Sequence, residues 1–163
     1  MKNEEKVKTV QELANSFSFK CKIFYHEQSG RSTKDAVKAT DLDSNSIIKC
    51  LLLKSKNNEY LGAIIKGSDK LDFKTLESLS GYKRLRMART EDVERELGFE
   101  LGGVPAIVFS KRGIRTFVDN HVLSLEYVVG SGGTPFYGMR FDPKQLVEKL
   151  NYVSANIVQR DQK

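Results

Sequence analysis

Apolar residues at Val7, Val10, Leu13, Ala14 and Phe17 recur at helical spacing and predict an amphipathic helix over residues 3–18. The period then shortens. CKIFYH (21–26) reads as a strand, and SGRSTKDAVKA as a loop opening a short helix with Ser32 or Thr33 as N-cap. Residues 47–53 form a strongly apolar strand, KSKNN a polar turn and residues 59–66 the returning strand, which together predict a hairpin.

Farther on, Leu71, Leu76 and Leu79 are spaced helically, and Gly81 is placed to end that helix. RLRMA alternates charge with apolar bulk and predicts a short strand. Thr90 is the expected cap of the next helix, with Glu91 and Asp92 in its first turn and Gly98 near its end. PAIVF and RTFV read as strands around the turn SKRG, followed by the strands LEYVVG and GMRF. Asp142 and Pro143 then predict a helix running to about Tyr152, and a frayed tail over about 154–163. Most connections are too short for repeated right-handed crossovers. The expectation is an α+β single domain over residues 1–163: a mixed, mostly antiparallel sheet curled toward a barrel and surrounded by helices.

Composition narrows the class. With 163 residues, 39% hydrophobic and 29% charged, the chain can bury a core and is neither fibrous nor disordered. No window approaches the ~18 apolar residues of a membrane span, and the N-terminal residues lack the apolar stretch of a secretory signal. Cys21 and Cys50 form no CxxC pair and read as free thiols of a reducing, cytoplasmic compartment. Two His and two separated Cys do not make a structural zinc site, so no metal is expected. The net charge of +6 gathers in YKRLRMAR (Lys83, Arg84, Arg86, Arg89) and SKRGIR (Lys111, Arg112, Arg115). Such clusters suit a polyanion such as RNA, or serve simply as a solvated face.

Lys49 stands out inside the apolar run SIIKCLLLKS. Strand alternation puts it on one face with Ile47, Leu51 and Leu53, and puts Ile48, Cys50 and Leu52 on the other. A covered ammonium needs an anionic partner or a shifted pKa, and a cleft for a phosphate or carbonyl would supply the partner. A lysine guarding an edge strand, or one snorkelling to water, is the alternative. Gly102 and Gly103 in GFELGGVPAI allow close approach of a ligand to backbone amides, or merely serve a turn. VVGSGGTPFYG has neither dinucleotide-fingerprint nor P-loop spacing. Asp119 and His26 end strands. No Ser-His-Asp or Cys-His pattern stands out.

These features occur in an order that resembles the YbaK/ProX family, relatives of the editing domain inserted in bacterial prolyl-tRNA synthetases. The resemblance runs from about Phe19 to Leu150. It is carried by the lysine strand IIKCLLL, the helix start LDFKTL, the strand RLRMA, the acidic helix TEDVEREL, the loop GFELGGV and the late segment TFVDNHVLSLEYVVGSGG. The family implies hydrolysis of the ester joining a wrong amino acid to tRNA, without metal or other cofactor. In that chemistry water attacks the carbonyl with help from the free ribose hydroxyl, and loop amides steady the oxyanion.

Carried over, Lys49 would hold the terminal adenosine's phosphate or the carbonyl end, and Gly102 and Gly103 would form the oxyanion loop. Phe24, His26, Cys50, Val104, Asp119, Ser131, Gly132 and Gly133 would line the substrate pocket. The implied partner is mischarged tRNA, entering through its 3′-terminal aminoacyl-adenosine, with an aminoacyl-tRNA synthetase nearby and no membrane. Three positions depart from the family pattern. Cys50 replaces a common Thr, Pro105 comes one place early with Ala106 following it, and GMRF lacks an acidic residue. A non-catalytic tRNA- or nucleotide-binding module on the same scaffold is the second reading.

Overall fold

The computed structural model describes residues 3–27 and 45–160, and the helix expected within residues 29–39 lies outside them. Helix α1 (Asn3–Ser16) turns Val10 and Ala14 inward and leads to β1 (Cys21–Tyr25). The hairpin β2 (Ile48–Lys54) and β3 (Tyr60–Lys66) follows as expected, paired antiparallel from Ile48↔Lys66 to Lys54↔Tyr60. Helix α2 (Phe73–Ser80) starts at Asp72, whose carboxylate accepts from the Thr75 N–H, and ends at Gly81 in the left-handed conformation.

A two-residue strand β4 (Arg86–Met87) then pairs with the far end of β2, and α3 (Thr90–Leu97) follows. The N-cap of α3 is Arg89 rather than Thr90. Thr90 is already helical, and it is the Asp92 carboxylate that reaches back to the Arg89 N–H at 3.2 Å. The acidic first turn and the Gly98 stop agree with the sequence reading.

PAIVF is not a strand. Pro105 opens a turn in which the Val108 N–H bonds the Pro105 carbonyl, and α4 (Val108–Lys111) continues from it. The run is apolar because it is buried on all sides: Ala106, Ile107, Val108 and Phe109 are each at most 2% exposed. Strand β5 (Thr116–Asp119), the one-turn helix α5 (Asn120–Leu123), β6 (Val128–Ser131) and β7 (Tyr137–Phe141) come next. Helix α6 (Gln145–Glu148) stops short of Tyr152 because Asn151 adopts a left-handed φ of 60° and turns the chain inward.

The expected frayed tail is ordered structure through residue 160. Strand β8 (Val153–Ala155) lies parallel to β5, Ile157 and Val158 are buried, and Val158 bridges Leu71. Apolar burial outweighs terminal fraying here.

Five strands form one sheet in the order β4-β2-β3-β5-β8, and three form another in the order β1-β7-β6. The five-stranded sheet is mixed, with β4–β2 and β2–β3 antiparallel and β3–β5 and β5–β8 parallel, whereas the three-stranded sheet is antiparallel throughout. They meet where Ile47 bridges Val129 in parallel and the Val129 N–H donates to the Ser46 carbonyl at 2.7 Å. Among the described residues neither sheet closes into a barrel.

Each face of the five-stranded sheet carries its own core. Ile48, Leu52, Ile64 and Val118 join Val10, Phe109, Val122 and Leu146 on one side. Leu53, Leu61, Ala63, Ile65 and Phe117 join Leu76 and Ile157 on the other. The predicted sidedness of β2 therefore holds, with Cys50 packed toward the first core and Leu51 toward the second.

Candidate functional site

Strand register assembles the site. Lys49 pairs with Ile65, which belongs to the second core, so the lysine shares that face. One residue pair earlier, on the same face, Ile47 bridges Val129. Two residues onward along each of these parallel segments stand Lys49 and Ser131. Ser131 pairs with Gly138, and Gly138 pairs with Phe24. Lys49, Ser131 and Phe24 thus lie on one continuous face across the junction of the two sheets. Glycine at 138 lets the ring of Phe24 lie over the strand, since a Cβ there would press on that ring and make it shift. The His26 ring follows at 6.1 Å from that of Phe24.

Lys49 is partly buried. Its ammonium donates to the Asp69 backbone carbonyl at 2.8 Å. Burial pushes its pKa down, the Asp69 carboxylate opposes that shift, and nearby Lys70 adds to it. The ammonium is therefore held in a partly dry place by the turn that follows β3.

Asp69 in turn meets His121, whose Nδ1 lies 3.3 Å from Asp69 Oδ2 and 3.5 Å from Asp119 Oδ2. Both neighbours are carboxylates, so Nδ1 carries the proton. Asp119 is buried, and its two oxygens accept from the His121 and Ile157 N–H groups at 2.9 and 2.8 Å. The three side chains Asp69, Asp119 and His121 are the one group of possible metal ligands among the described residues. Asp119 already accepts a backbone N–H on each oxygen and acts as an anchor that ties the segment after β8 to the end of β5.

The two glycine loops touch. A Cβ on Gly103 would fall 3.2 Å from the Gly133 carbonyl oxygen and 3.1 Å from the Thr134 Cα. Gly102 takes a left-handed φ of 84°. The Gly103 N–H is not free, since it donates to the Glu100 carbonyl at 2.8 Å. Among the described residues the N–H groups of Gly102 and Val104 have no partner. In the second loop the Gly132 N–H bonds the Tyr137 carbonyl, and the Gly133 N–H bonds the Ser131 hydroxyl. That loop is a closed turn whose surface, rather than its amides, is on offer.

Cys50 stands apart from this face. It packs toward the first core, and burial pushes its thiol up to about 12. Val104 is also part of that core. Sequence reasoning missed Asp69 and His121, which no local pattern marks: the turn after β3 and the start of α5 bring them to Lys49. The basic residues of both segments are exposed, and Arg115 reaches toward the first segment by donating to the Ser80 carbonyl at 2.9 Å.

The α+β fold thus carries a partly buried lysine at the junction of its two sheets and a pair of abutting glycine loops. The aminoacyl-tRNA editing domain model matches residues 27–149, and the chain belongs to that family, of YbaK/ProX type. A proline–tRNA ligase of Caldicellulosiruptor saccharolyticus is 23% identical over 138 residues, which are 84% of this chain and 21% of the ligase. The chain therefore spans only a fraction of that relative. A putative Cys-tRNA(Pro)/Cys-tRNA(Cys) deacylase of Enterococcus faecalis is 22% identical over 130 residues, covering 80% of this chain and 79% of that protein. The crystal structure of a putative trans-editing enzyme for prolyl-tRNA synthetase superposes with a TM-score of 0.82 at 26% identity, over 95% of this chain and 98% of that one.

Proposed function

We propose that this chain is a trans-acting deacylase, folded as one editing domain over residues 1–163, that hydrolyses mischarged aminoacyl-tRNA in the cytoplasm. The observation that carries the reading is the placement of Lys49, an ammonium inside an apolar strand that shares its face with Ser131 and Phe24. It binds the 3′-terminal aminoacyl-adenosine at its phosphate or carbonyl end. The ring of Phe24, with His26 beside it, and the closed turn Ser131–Gly133 form walls against the aminoacyl group.

Water attacks the ester carbonyl, assisted by the neighbouring ribose hydroxyl, and the carbonyl oxygen gains charge. The unpartnered Gly102 and Val104 N–H groups are the donors to that oxygen. This departs from an assignment to Gly102 and Gly103 amides, because the Gly103 amide is committed to Glu100 and its contribution is close packing. The exposed side chains of Lys83, Arg84, Arg86, Arg89, Lys111, Arg112 and Arg115 meet tRNA phosphates. Cys-tRNA(Pro) is the first substrate to try, given the name of the Enterococcus relative.

A panel of mischarged tRNAs tests the reading. Hydrolysis of at least one, insensitive to EDTA, is the expected result. No hydrolysis with retained tRNA binding would favour the non-catalytic module, and activity lost to EDTA and restored by one metal would overturn the metal-free chemistry.

A further inference from the structure

We infer that Asp69 and His121 are positioning residues for Lys49, forming a latch between the turn after β3 and the β5–α5 joint; the inference rests on the deacylase reading above and deepens it. The latch has three links. The Asp69 carbonyl accepts from the Lys49 ammonium at 2.8 Å. The Asp69 carboxylate accepts from His121 Nδ1 at 3.3 Å. His121 is itself seated over Asp119, which takes the His121 N–H at 2.9 Å and lies 3.5 Å from Nδ1.

The chain of contacts matters because Lys49 is long and flexible. Without a second tether its ammonium would sample many rotamers, and a reacting group displaced by about 1 Å can cost ~100-fold in rate. Asp69 fixes it twice, by a directional hydrogen bond through the backbone and by charge through the carboxylate. The turn is pinned from below as well, since the Asp69 N–H donates to the Lys66 carbonyl at 3.0 Å. Among the described residues the charged and titratable groups around the ammonium are Asp69 and Lys70 on this turn, with His121 and Asp119 beyond Asp69 on the β5–α5 joint. Asp69 is the anion among them that favours the charged form of Lys49, so removing its charge makes the ammonium easier to deprotonate.

The test reads Lys49 directly and does not depend on tRNA. The side-chain methylene resonances of the full chain are followed against pH by NMR, with Lys49→Arg used for assignment. Asp69→Asn should move the Lys49 midpoint to lower pH. His121→Leu should move it the same way by releasing the Asp69 carboxylate, and His121→Gln, which keeps a donor, should restore it. Single-turnover deacylation should fall about tenfold or more in Asp69→Asn and His121→Leu, with the alkaline limb of the pH–rate profile shifted to lower pH. His121 is half-exposed and outside the cores, so its variants keep the test alive if Asp69→Asn does not fold. A Lys49 midpoint unmoved in both variants would overturn the latch. A shifted midpoint in a protein that deacylates nothing would uphold the latch and overturn the deacylase reading.

Discussion

Gly103 lies against Thr134 so closely that a Cβ would sit 3.1 Å from the Thr134 Cα, with the Gly133 carbonyl oxygen 3.2 Å away on the same side. Neither neighbour is a flexible side-chain end, so a larger residue must displace one loop from the other. Gly103→Val should therefore cut single-turnover deacylation by ~100-fold or more, the scale of losing one oxyanion donor. Binding to tRNA, dominated by distant phosphates, should change little. Rate and affinity measured on the same variant separate the two. Equal losses in both would assign the loop to binding alone.

Lys49→Ala should abolish deacylation and leave the melting temperature close to that of the parent chain. The ammonium's pKa is lowered by burial, so its removal relieves desolvation even as it loses one hydrogen bond. Turnover at the parent rate would remove Lys49 from the site.

The pattern of residues 47–53 made this much visible in advance. Alternation alone separates Lys49 from Cys50, and the two cores on either side of β2 follow that division. The resemblance brought Ser131 and Phe24 into consideration, but strand register was needed to put them on the face of Lys49. Asp69 could not be read because its decisive group is a backbone carbonyl, which every residue has. PAIVF misled because a five-residue apolar run fits a buried strand and a buried turn equally well, and Pro105 tipped it to the turn. The tail misled for another reason. SANIVQ carries only two strongly apolar residues, and they are recruited by partners far away in sequence: Leu71 bridges Val158, and Ile157 packs in the core that holds Phe117 while its N–H donates to Asp119.

Ile157 offers a measure of that recruitment. It is fully buried, and its N–H is held by Asp119. Ile157→Ala should destabilise the fold by about 2–5 kcal/mol, the usual cost of emptying a core position. Urea unfolding followed by circular dichroism checks this. A change near zero would return the segment to a frayed tail.

Asp92 governs behaviour in acid. Its hydrogen bond from Arg95 leads the causes that lower its pKa to about 2; the Arg89 N–H, the Tyr60 hydroxyl and Lys54 add to it against the opposing effect of burial. The folded pKa lies below the unfolded value of roughly 3.9, so the unfolded chain binds the proton more readily. The stabilisation is therefore complete above about pH 4 and is lost as pH falls toward 2. The urea midpoint of the parent chain should drop across that interval, and the drop should be smaller in Asp92→Asn. Parallel curves for the two proteins would show that Asp92 is not the titrating group.

The Cys50 thiol should resist alkylation. With a pKa near 12, only about one molecule in ten thousand carries the thiolate at pH 8. Iodoacetamide should leave Cys50 unlabelled in the native chain and label it readily in urea, as read by mass spectrometry. Rapid native labelling would place the thiol in an open pocket instead.

Strand β8 also sets the order in which the sheet can form. On a ribosome, Phe117 and Leu71 emerge long before Val153 and Val158, the residues that pair with them. Until those last residues arrive, Asp119 lacks the Ile157 N–H, one edge of β5 stands open, and the joint that seats His121 is incomplete. A nascent chain interrupted near residue 150 would expose a bare strand edge beside apolar side chains, a ready template for association with other chains. The late arrival of β8 therefore closes the open edge of β5 and completes the seat of His121 in one event.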